Sequence, residues 1–208
     1  MTLAASAPRA RSAEPRSAGP RSAGPRSAGP RSAGLGAFKS RLAEILRVDH
    51  AGELGAVYIY RGQRAVLDRR SPETQATLAH MEAQERHHLE TFETLLTERG
   101  VRPTLMSPLW RLAAFGMGAA TALISERAAH ACTEAVETVI EAHYADQIAE
   151  LRTREPELVA TIQQFRAEEI EHLDEAVDKG ARDAPGYTAL FAIITAACKT
   201  AIKVSEKV

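Results

Sequence analysis

Apolar residues recur at alternating steps of three and four along most of the chain after residue 37, which is the spacing of amphipathic helices. Four long helices are expected over about 38–70, 72–100, 126–154 and 156–180, and a further helix over about 187–204. Pro72 and Pro156 suit the first turn of a helix, and Gly100 and Gly180 suit the position after a last turn. The pattern predicts an all-α protein built on a bundle of the four long helices.

The expected inward face of each long helix is apolar except for a few acidic residues and histidines. Along the four helices in turn, these faces comprise Leu42, Leu46, Glu53, Ala56, Tyr60 and Leu67; Leu78, Met81, Glu85, His88, Phe92 and Leu95; Thr133, Glu137, Ile140, Tyr144 and Leu151; and Ile162, Phe165, Glu169, His172 and Ala176. An unpaired ion in an apolar interior costs on the order of several kcal/mol. The charged residues must therefore be neutralised, paired or bound to metal.

These charged residues form one pattern that occurs twice. A single Glu on one helix is followed 32 residues later by a Glu-x-x-His on the next helix, and all three positions recur at an offset of 84. One Glu-x-x-His on a helix is usually a solvated surface pair. Two copies on apolar faces, each with a matched upstream Glu, instead predict a duplicated set of metal ligands: Glu53, Glu85, His88, Glu137, Glu169 and His172.

The chemistry of these ligands narrows the choice of metal. Four carboxylates balance two divalent cations, and oxygen-rich sites with one imidazole per metal and no thiolate suit iron or manganese better than zinc or copper. The same ligand set defines the ferritin-like di-iron and di-manganese carboxylate bundles. The ligands alone leave hydroxylation, desaturation, peroxide removal and iron storage open as functions.

Composition supports one folded domain at 38–208, preceded by a tail at 1–37. The tail repeats Arg-Ser-Ala-Gly-Pro and is expected to be disordered, because its regularly spaced prolines oppose a sustained helix. The tail carries six Arg and one Glu before residue 37, so the remainder is acidic and offers no basic surface for nucleic acid. Cys132 and Cys198 are too few for a disulfide framework and are expected to be reduced core residues inside a cell.

Longer stretches carry a resemblance to a known family. They are Arg47-Val48-Asp49-His50-Ala51-Gly52-Glu53-Leu54-Gly55-Ala56, Ile59-Tyr60, Gly62-Gln63, Arg102-Pro103-Thr104, Pro108-Leu109-Trp110, Ala131-Cys132-Thr133, Glu137, His143-Tyr144, Phe165-Arg166, Glu168-Glu169 and Glu171-His172. In these motifs residues 38–208 resemble the demethoxyubiquinone hydroxylases of ubiquinone biosynthesis. Leu54 stands where that family often has an aromatic residue, and the repeat tail is outside its pattern.

The resemblance implies a ferritin-like four-helix di-iron bundle that holds two iron ions per chain on the same six ligands, with Glu137 as either a bridging or a terminal ligand. It also implies a di-iron monooxygenase that hydroxylates the ring of a polyprenyl demethoxyubiquinol with dioxygen and two electrons. The expected electron donor is NADH or the quinol. A ferritin-like iron-binding or storage protein is the alternative.

Several residues near the ligands have two interpretations each. Tyr144 is the candidate catalytic residue, as an electron relay or a contact of the quinol ring, unless it is simply a core residue. Gly52 and Gly55 leave room for a metal, a ligand or a neighbouring helix. Asp49 is expected to accept the second imidazole proton of a ligand His, or else to be exposed or a cap. His87 points away from the face of His88 and is expected to be solvated. Glu168 is expected to matter much less than Glu169, because position 168 is turned about 100° from 169 and leaves the inward face.

Two apolar segments beyond the four-helix core are expected to be membrane-interfacial. Residues 109–124 are rather short to span a bilayer, and the last helix ends with basic Lys199, Lys203 and Lys207. A fifth helix packed on the bundle is the alternative for this last segment. The expected location is the cytoplasmic face of a bacterial cell membrane, or alternatively the matrix face of the mitochondrial inner membrane. A lipid-binding partner protein or a second copy of the chain is the expected protein partner.

Overall fold

The computed structural model describes residues 30–68 and 72–208, and the fold of these residues is all-α, as the sequence predicts. The helices are α1 (Pro30–Leu67), α2 (Pro72–Arg99), α3 (Ser107–Ile124), α4 (Glu126–Leu151), α5 (Pro156–Asp178) and α6 (Tyr187–Ser205), and a short 3₁₀ turn (Ala181–Asp183) precedes α6. Helices α1, α2, α4 and α5 are the four long helices of the expected bundle.

The helix ends follow the local chemistry that the sequence signals. Pro156 opens α5, the Ser125 side chain accepts a hydrogen bond from the Ala128 amide at the start of α4, and Gly100 and Gly180 adopt positive φ after α2 and α5. The start of α1 differs from the expectation, since the helix begins at Pro30 rather than near residue 38. Pro30 is the last proline of the repeat, and a proline is tolerated in a first helical turn. The rest of the expected disordered tail lies outside the described residues.

The inward faces predicted from periodicity are buried with two small exceptions. Leu96 replaces Leu95 as the buried residue at the end of α2, and Ile140 on α4 is half-buried. The core beside the ligands contains large apolar side chains, including Leu46, Phe92 and Phe165. The bundle therefore places the charged residues of its inward faces in an interior that excludes water, as the spacing of apolar residues predicts.

Helices α3 and α6 pack against the outer side of α1 and α4. Gly62 of α1 and Gly118 of α3 allow a close crossing, because a Cβ at Gly118 would lie 2.1 Å from the Ile59 carbonyl oxygen and one at Gly62 would lie 2.2 Å from that of Phe115. At the other end of α3, the Trp110 indole N–H donates to the Ser205 hydroxyl at 3.0 Å. Trp110 thus joins α3 to α6 and is half-buried.

The faces of α3 and α6 that point away from the bundle are strongly apolar. Leu112 is 72% exposed and Ile193 is 67% exposed, and Leu105, Leu109, Leu123 and Ile124 are exposed beside them. Within the described part of the chain, α6 is the one helix that is long and apolar enough to cross a membrane by length and composition. Its Ile194 side packs into a core cluster with α1, α3 and α4. Helix α6 therefore combines a face packed on the bundle with a bare apolar face.

Candidate metal centre

The structure brings all six sequence-predicted ligands together in the middle of the bundle. Their donor atoms form two overlapping sets, each with atoms within 4.8 Å of one another and each fully buried. One set is Glu53, Glu85, His88 and Glu169, and the other is Glu85, Glu137, Glu169 and His172. Because Glu85 and Glu169 occur in both sets, their carboxylates lie between two potential metal positions. Each donor set also has two ligands of its own. We call Glu53 and His88 the Glu53 half of the centre, and Glu137 and His172 the Glu137 half.

Both imidazoles present the same nitrogen to the carboxylates. His88 Nδ1 lies 3.2 Å from a Glu169 oxygen and 3.4 Å from a Glu53 oxygen. His172 Nδ1 lies 3.0 Å from a Glu85 oxygen and 3.3 Å from a Glu169 oxygen. Each half therefore has one nitrogen and several carboxylate oxygens converging on one point.

The donor atoms that face this point have no hydrogen-bond partner within the described residues. They are Glu53 Oε2, both oxygens of Glu85 and of Glu169, Glu137 Oε2, and the Nδ1 atoms of His88 and His172. Buried polar atoms without partners are rare in folded proteins, because each one loses its interaction with water and gains nothing in return. Two divalent cations would satisfy all of these atoms together, so the residues present fit a di-metal centre.

The pKa values of these groups show how strongly the cluster attracts positive charge. Burial alone would lower the pKa of the His172 imidazole, but its contacts with Glu169 and Glu85 raise that pKa to about 10. The pKa of His88 is raised in the same way by Glu169, Glu53 and Glu85, against the effect of burial. Burial, reinforced by the Glu169 and Glu85 carboxylates, raises the pKa of Glu137 well above its usual range. The carboxylates and imidazoles of the cluster therefore favour bound positive charge, which metal cations can supply.

Two tyrosine hydroxyls connect the two copies of the ligand pattern. The Tyr144 hydroxyl donates to Glu53, and the Tyr60 hydroxyl donates to Glu137 at 2.9 Å. Positions 60 and 144 are also 84 apart, so each half of the sequence supplies the tyrosine that fixes the unshared Glu of the other half. Burial, followed by the charge of Glu53, raises the pKa of Tyr144 well above its ordinary value, which keeps this phenol protonated. Tyr144 therefore orients a candidate ligand directly.

The outer nitrogens of the two histidines correct two sequence-based expectations. His88 Nε2 hydrogen-bonds to Glu168 at 2.7 Å, and His172 Nε2 hydrogen-bonds to the Gln84 side-chain oxygen at 2.9 Å. Asp49 does not contact either ligand His; it accepts a hydrogen bond from Gln147 of α4 instead. The geometric reason for expecting Glu168 to matter little also fails, because its carboxylate contacts His88. Although Glu168 is turned away from the seam of α5, it faces α2, the helix that carries His88.

An apolar cavity of about 190 Å³ reaches the Glu53 half from outside the bundle. Its walls come from α1, α3, α4 and α6, and its polar residues include Asp49, Glu53, His143 and Tyr144. Gly52 and Gly55 line the cavity, and a Cβ at either position would meet no other atom within 4 Å. Of the interpretations open for these glycines, the structure favours space for a ligand. Glu53 is the one candidate metal ligand among the residues that line the cavity.

Other residues occupy the environments that their patterns indicate. His87 is exposed, and Cys132 is fully buried in the apolar cluster between α1, α3, α4 and α6. Burial raises the pKa of the Cys132 thiol to about 12, so it is an unreactive core residue, while Cys198 is half-buried beside the same cluster. Sequence reasoning missed Gln84, whose one signal is its position 84 residues before Glu168.

Comparison with known proteins agrees with this arrangement. Residues 40–205 match the family described as the ubiquinone biosynthesis protein COQ7. The chain is 53% identical over 163 residues to the 3-demethoxyubiquinol 3-hydroxylase of Rhodospirillum rubrum, covering 78% of this chain and 76% of that protein. It is 47% identical to the mitochondrial 5-demethoxyubiquinone hydroxylase of Saccharomyces cerevisiae, covering 80% and 78%. It is 46% identical to the mitochondrial NADPH-dependent 3-demethoxyubiquinone 3-hydroxylase of Mus musculus, covering 81% and 79%. With its buried, duplicated Glu and His cluster and a match across nearly the whole helical region, the chain belongs to the COQ7 family of ubiquinone biosynthesis proteins.

Proposed function

We propose that this protein is a di-iron monooxygenase that hydroxylates the ring of a polyprenyl demethoxyubiquinol with dioxygen. The observation that carries the proposal is the apolar cavity that ends at Glu53 and Tyr144, beside a buried cluster suited to two metal ions. The relatives named above are hydroxylases of demethoxyubiquinol or demethoxyubiquinone, so the iron-storage alternative is not retained. The oxygen-rich donor set with two imidazoles favours iron over zinc or copper.

The cavity suits an amphipathic aromatic ring on an apolar tail. Its apolar walls remove the tail from water, and its few polar groups, which include Glu53 and Tyr144, can contact the ring, as is usual for a ligand pocket. Trp110 and Ser205 close the wall between α3 and α6, and the exposed apolar faces of these helices flank it. A quinol with its tail in a bilayer would place its ring beside Glu53 when this face lies on the membrane.

The residues around the proposed position of the quinol ring have separate roles. When bound, the iron pair would activate dioxygen for insertion of one oxygen atom into the ring, with the two electrons coming from a separate donor. Glu53, Glu85, His88, Glu137, Glu169 and His172 would hold the two ions, with Glu85 and Glu169 shared between them. Tyr144 lines the cavity and orients Glu53 there, because its single O–H donates to that carboxylate. The apolar walls exclude water from this point.

The reductant and the membrane complete the proposal. Hydroxylation by dioxygen consumes two electrons and releases one water for each oxygen inserted, so a donor is required. The Mus musculus relative is named for NADPH, and a reduced nicotinamide is the donor proposed here rather than the quinol itself. We place the protein peripherally on the membrane that contains the quinone, bound through α3 and α6. The names of the yeast and mouse relatives favour the mitochondrial alternative over a bacterial cell membrane.

The direct test uses purified full-length protein loaded with Fe(II) in detergent or vesicles that contain demethoxyubiquinone. With NADH or NADPH and isotopically labelled dioxygen, the product should be the hydroxylated quinone with one labelled oxygen per ring, measured by mass spectrometry. In cells that lack the protein, lipid extracts should accumulate demethoxyubiquinone. Labelled water as the only source of the new oxygen, or normal ubiquinone levels without the precursor, would contradict the proposal.

A further inference from the structure

The duplication around the metal centre is broken in charge at the two positions that bind the outer nitrogens of the ligand histidines. The ligands and tyrosines are identical in type at an offset of 84 residues, but the partner of His88 is the Glu168 carboxylate and the partner of His172 is the Gln84 amide. Both contacts are made by the residue just before a shared ligand, from α5 to α2 in one case and from α2 to α5 in the other. The two contacts are equivalent in position, but the Glu168 carboxylate can carry a negative charge and the Gln84 amide cannot.

This difference changes what each histidine offers to a metal. A hydrogen bond from an imidazole N–H to a carboxylate is shorter and stronger than one to a neutral amide. It also increases the electron density on the opposite ring nitrogen, which is the Nδ1 atom that faces the cluster. The Glu168 carboxylate is held in place by Gln164, whose amide donates to its other oxygen at 3.0 Å. His88 is therefore backed by an oriented negative charge that His172 lacks.

We propose that Glu168 is a positioning residue that makes the Glu53 half the tighter of the two metal sites. This inference rests on the metal centre proposed above. The two halves would then differ in function as well, because the cavity reaches Glu53 and does not include Glu137 among its lining residues. The more strongly held metal is thus the one that faces the proposed substrate, and the Glu137 half holds the more exchangeable ion.

The effect of the Glu168 charge can be separated from the effect of its position, because the chain contains both a carboxylate and an amide as partners of a ligand histidine. Glu168→Gln keeps an oxygen that accepts the His88 N–H and reproduces the pair found at Gln84, whereas Gln84→Glu does the reverse. Repulsion between two cations would also separate the binding steps, so each substitution is best placed in a protein that retains one half. Glu137→Ala leaves the Glu53 half, and Glu53→Ala leaves the Glu137 half.

The measurement is an anaerobic titration of metal-free full-length protein with Co(II), followed by visible absorption, with helicity checked by circular dichroism. In the Glu137→Ala background, Glu168→Gln should weaken Co(II) binding by about tenfold, within the range typical of partners of metal-bound histidines. In the Glu53→Ala background, Glu168→Gln should have little effect and Gln84→Glu should strengthen binding by about tenfold.

The outcomes separate this inference from the proposed function. Equal effects of Glu168→Gln in both backgrounds would show that its charge acts on the cluster as a whole, and unchanged binding in both would show that it does not act at all. Either result overturns the inference while leaving the metal centre intact. Failure of the unsubstituted protein to bind two Co(II) ions would instead overturn the proposed metal centre, and the inference with it.

Discussion

Replacing Glu169 by alanine should remove both metal ions, whereas replacing Glu137 should remove one. Glu169 belongs to both donor sets and Glu137 to one. Structural metal sites with four protein ligands bind with on the order of 10–16 kcal/mol, so one ligand is worth about 3 kcal/mol, or roughly a hundredfold in Kd. Glu169→Ala should therefore raise the Kd of both sites about a hundredfold, and Glu137→Ala should raise that of one site.

Anaerobic equilibrium dialysis against Fe(II) would measure this difference. At a free Fe(II) concentration about equal to the weaker Kd of the unsubstituted protein, a site weakened a hundredfold would be at most roughly one-tenth filled, even if it started about tenfold tighter. Glu169→Ala should then retain almost no iron, and Glu137→Ala should retain about one ion per chain. Glu171→Ala is the matched control, since Glu171 is exposed on the same helix. Glu168 is unsuitable as a control because it contacts His88. Retention of one tightly bound iron by Glu169→Ala would refute the sharing of this carboxylate.

Three further predictions concern the cavity, the exposed apolar faces of α3 and α6, and Glu82 with its arginine partners. Gly55→Leu should fill the cavity and lower turnover of long-tailed quinol by up to about a hundredfold with normal iron content; loss of iron would show a bundle defect instead. Leu112→Glu and Ile193→Glu should each weaken binding to anionic vesicles by about tenfold or more, because each removes about 2 kcal/mol of apolar burial, and unchanged binding would place the contact elsewhere. Glu82→Gln should lower the free energy of unfolding by about 1–2 kcal/mol at pH 7, measured in urea. Burial opposes ionisation of Glu82, but hydrogen bonds from three arginines lower its pKa overall. This stabilisation is present above its unfolded pKa of about 4.3 and is lost as the pH falls through the folded value, so the two proteins should converge in acid; a constant difference would contradict the pairing.

The sequence was sufficient to predict the helices and the six ligands because both depend on local periodicity. Glu53 and Glu137 repeat at the same offset as the Glu-x-x-His pairs and fall on faces that are otherwise apolar, so one helical period selects them without knowledge of the packing. The sharing of Glu85 and Glu169 did not follow from this pattern. It depends on how far α2 and α5 are displaced along each other, which spacing within one helix does not determine.

The partners of the histidines were predicted incorrectly for a related reason. A helix in a four-helix bundle contacts two neighbours as well as the centre, so a residue turned about 100° from the seam can still face another helix. Glu168 is such a residue. Asp49 shares a face with Glu53, but Gln147 on α4 is closer than either ligand His and takes its hydrogen bond. The contact of Trp110 with Ser205 was not predicted, because it depends on the docking of α6.

The exchange of tyrosines and histidine partners between the two halves has a consequence for how the protein is made. A chain emerging from synthesis as far as α2 contains Glu53, Glu85 and His88, but Tyr144, Glu169 and Glu168 have not yet been translated. Neither half of the centre has its full donor set until α5 has been made and has docked against α2. At the proposed metal centre, metal loading would therefore follow assembly of the bundle, and a truncated chain ending before α5 would have no complete site to fill.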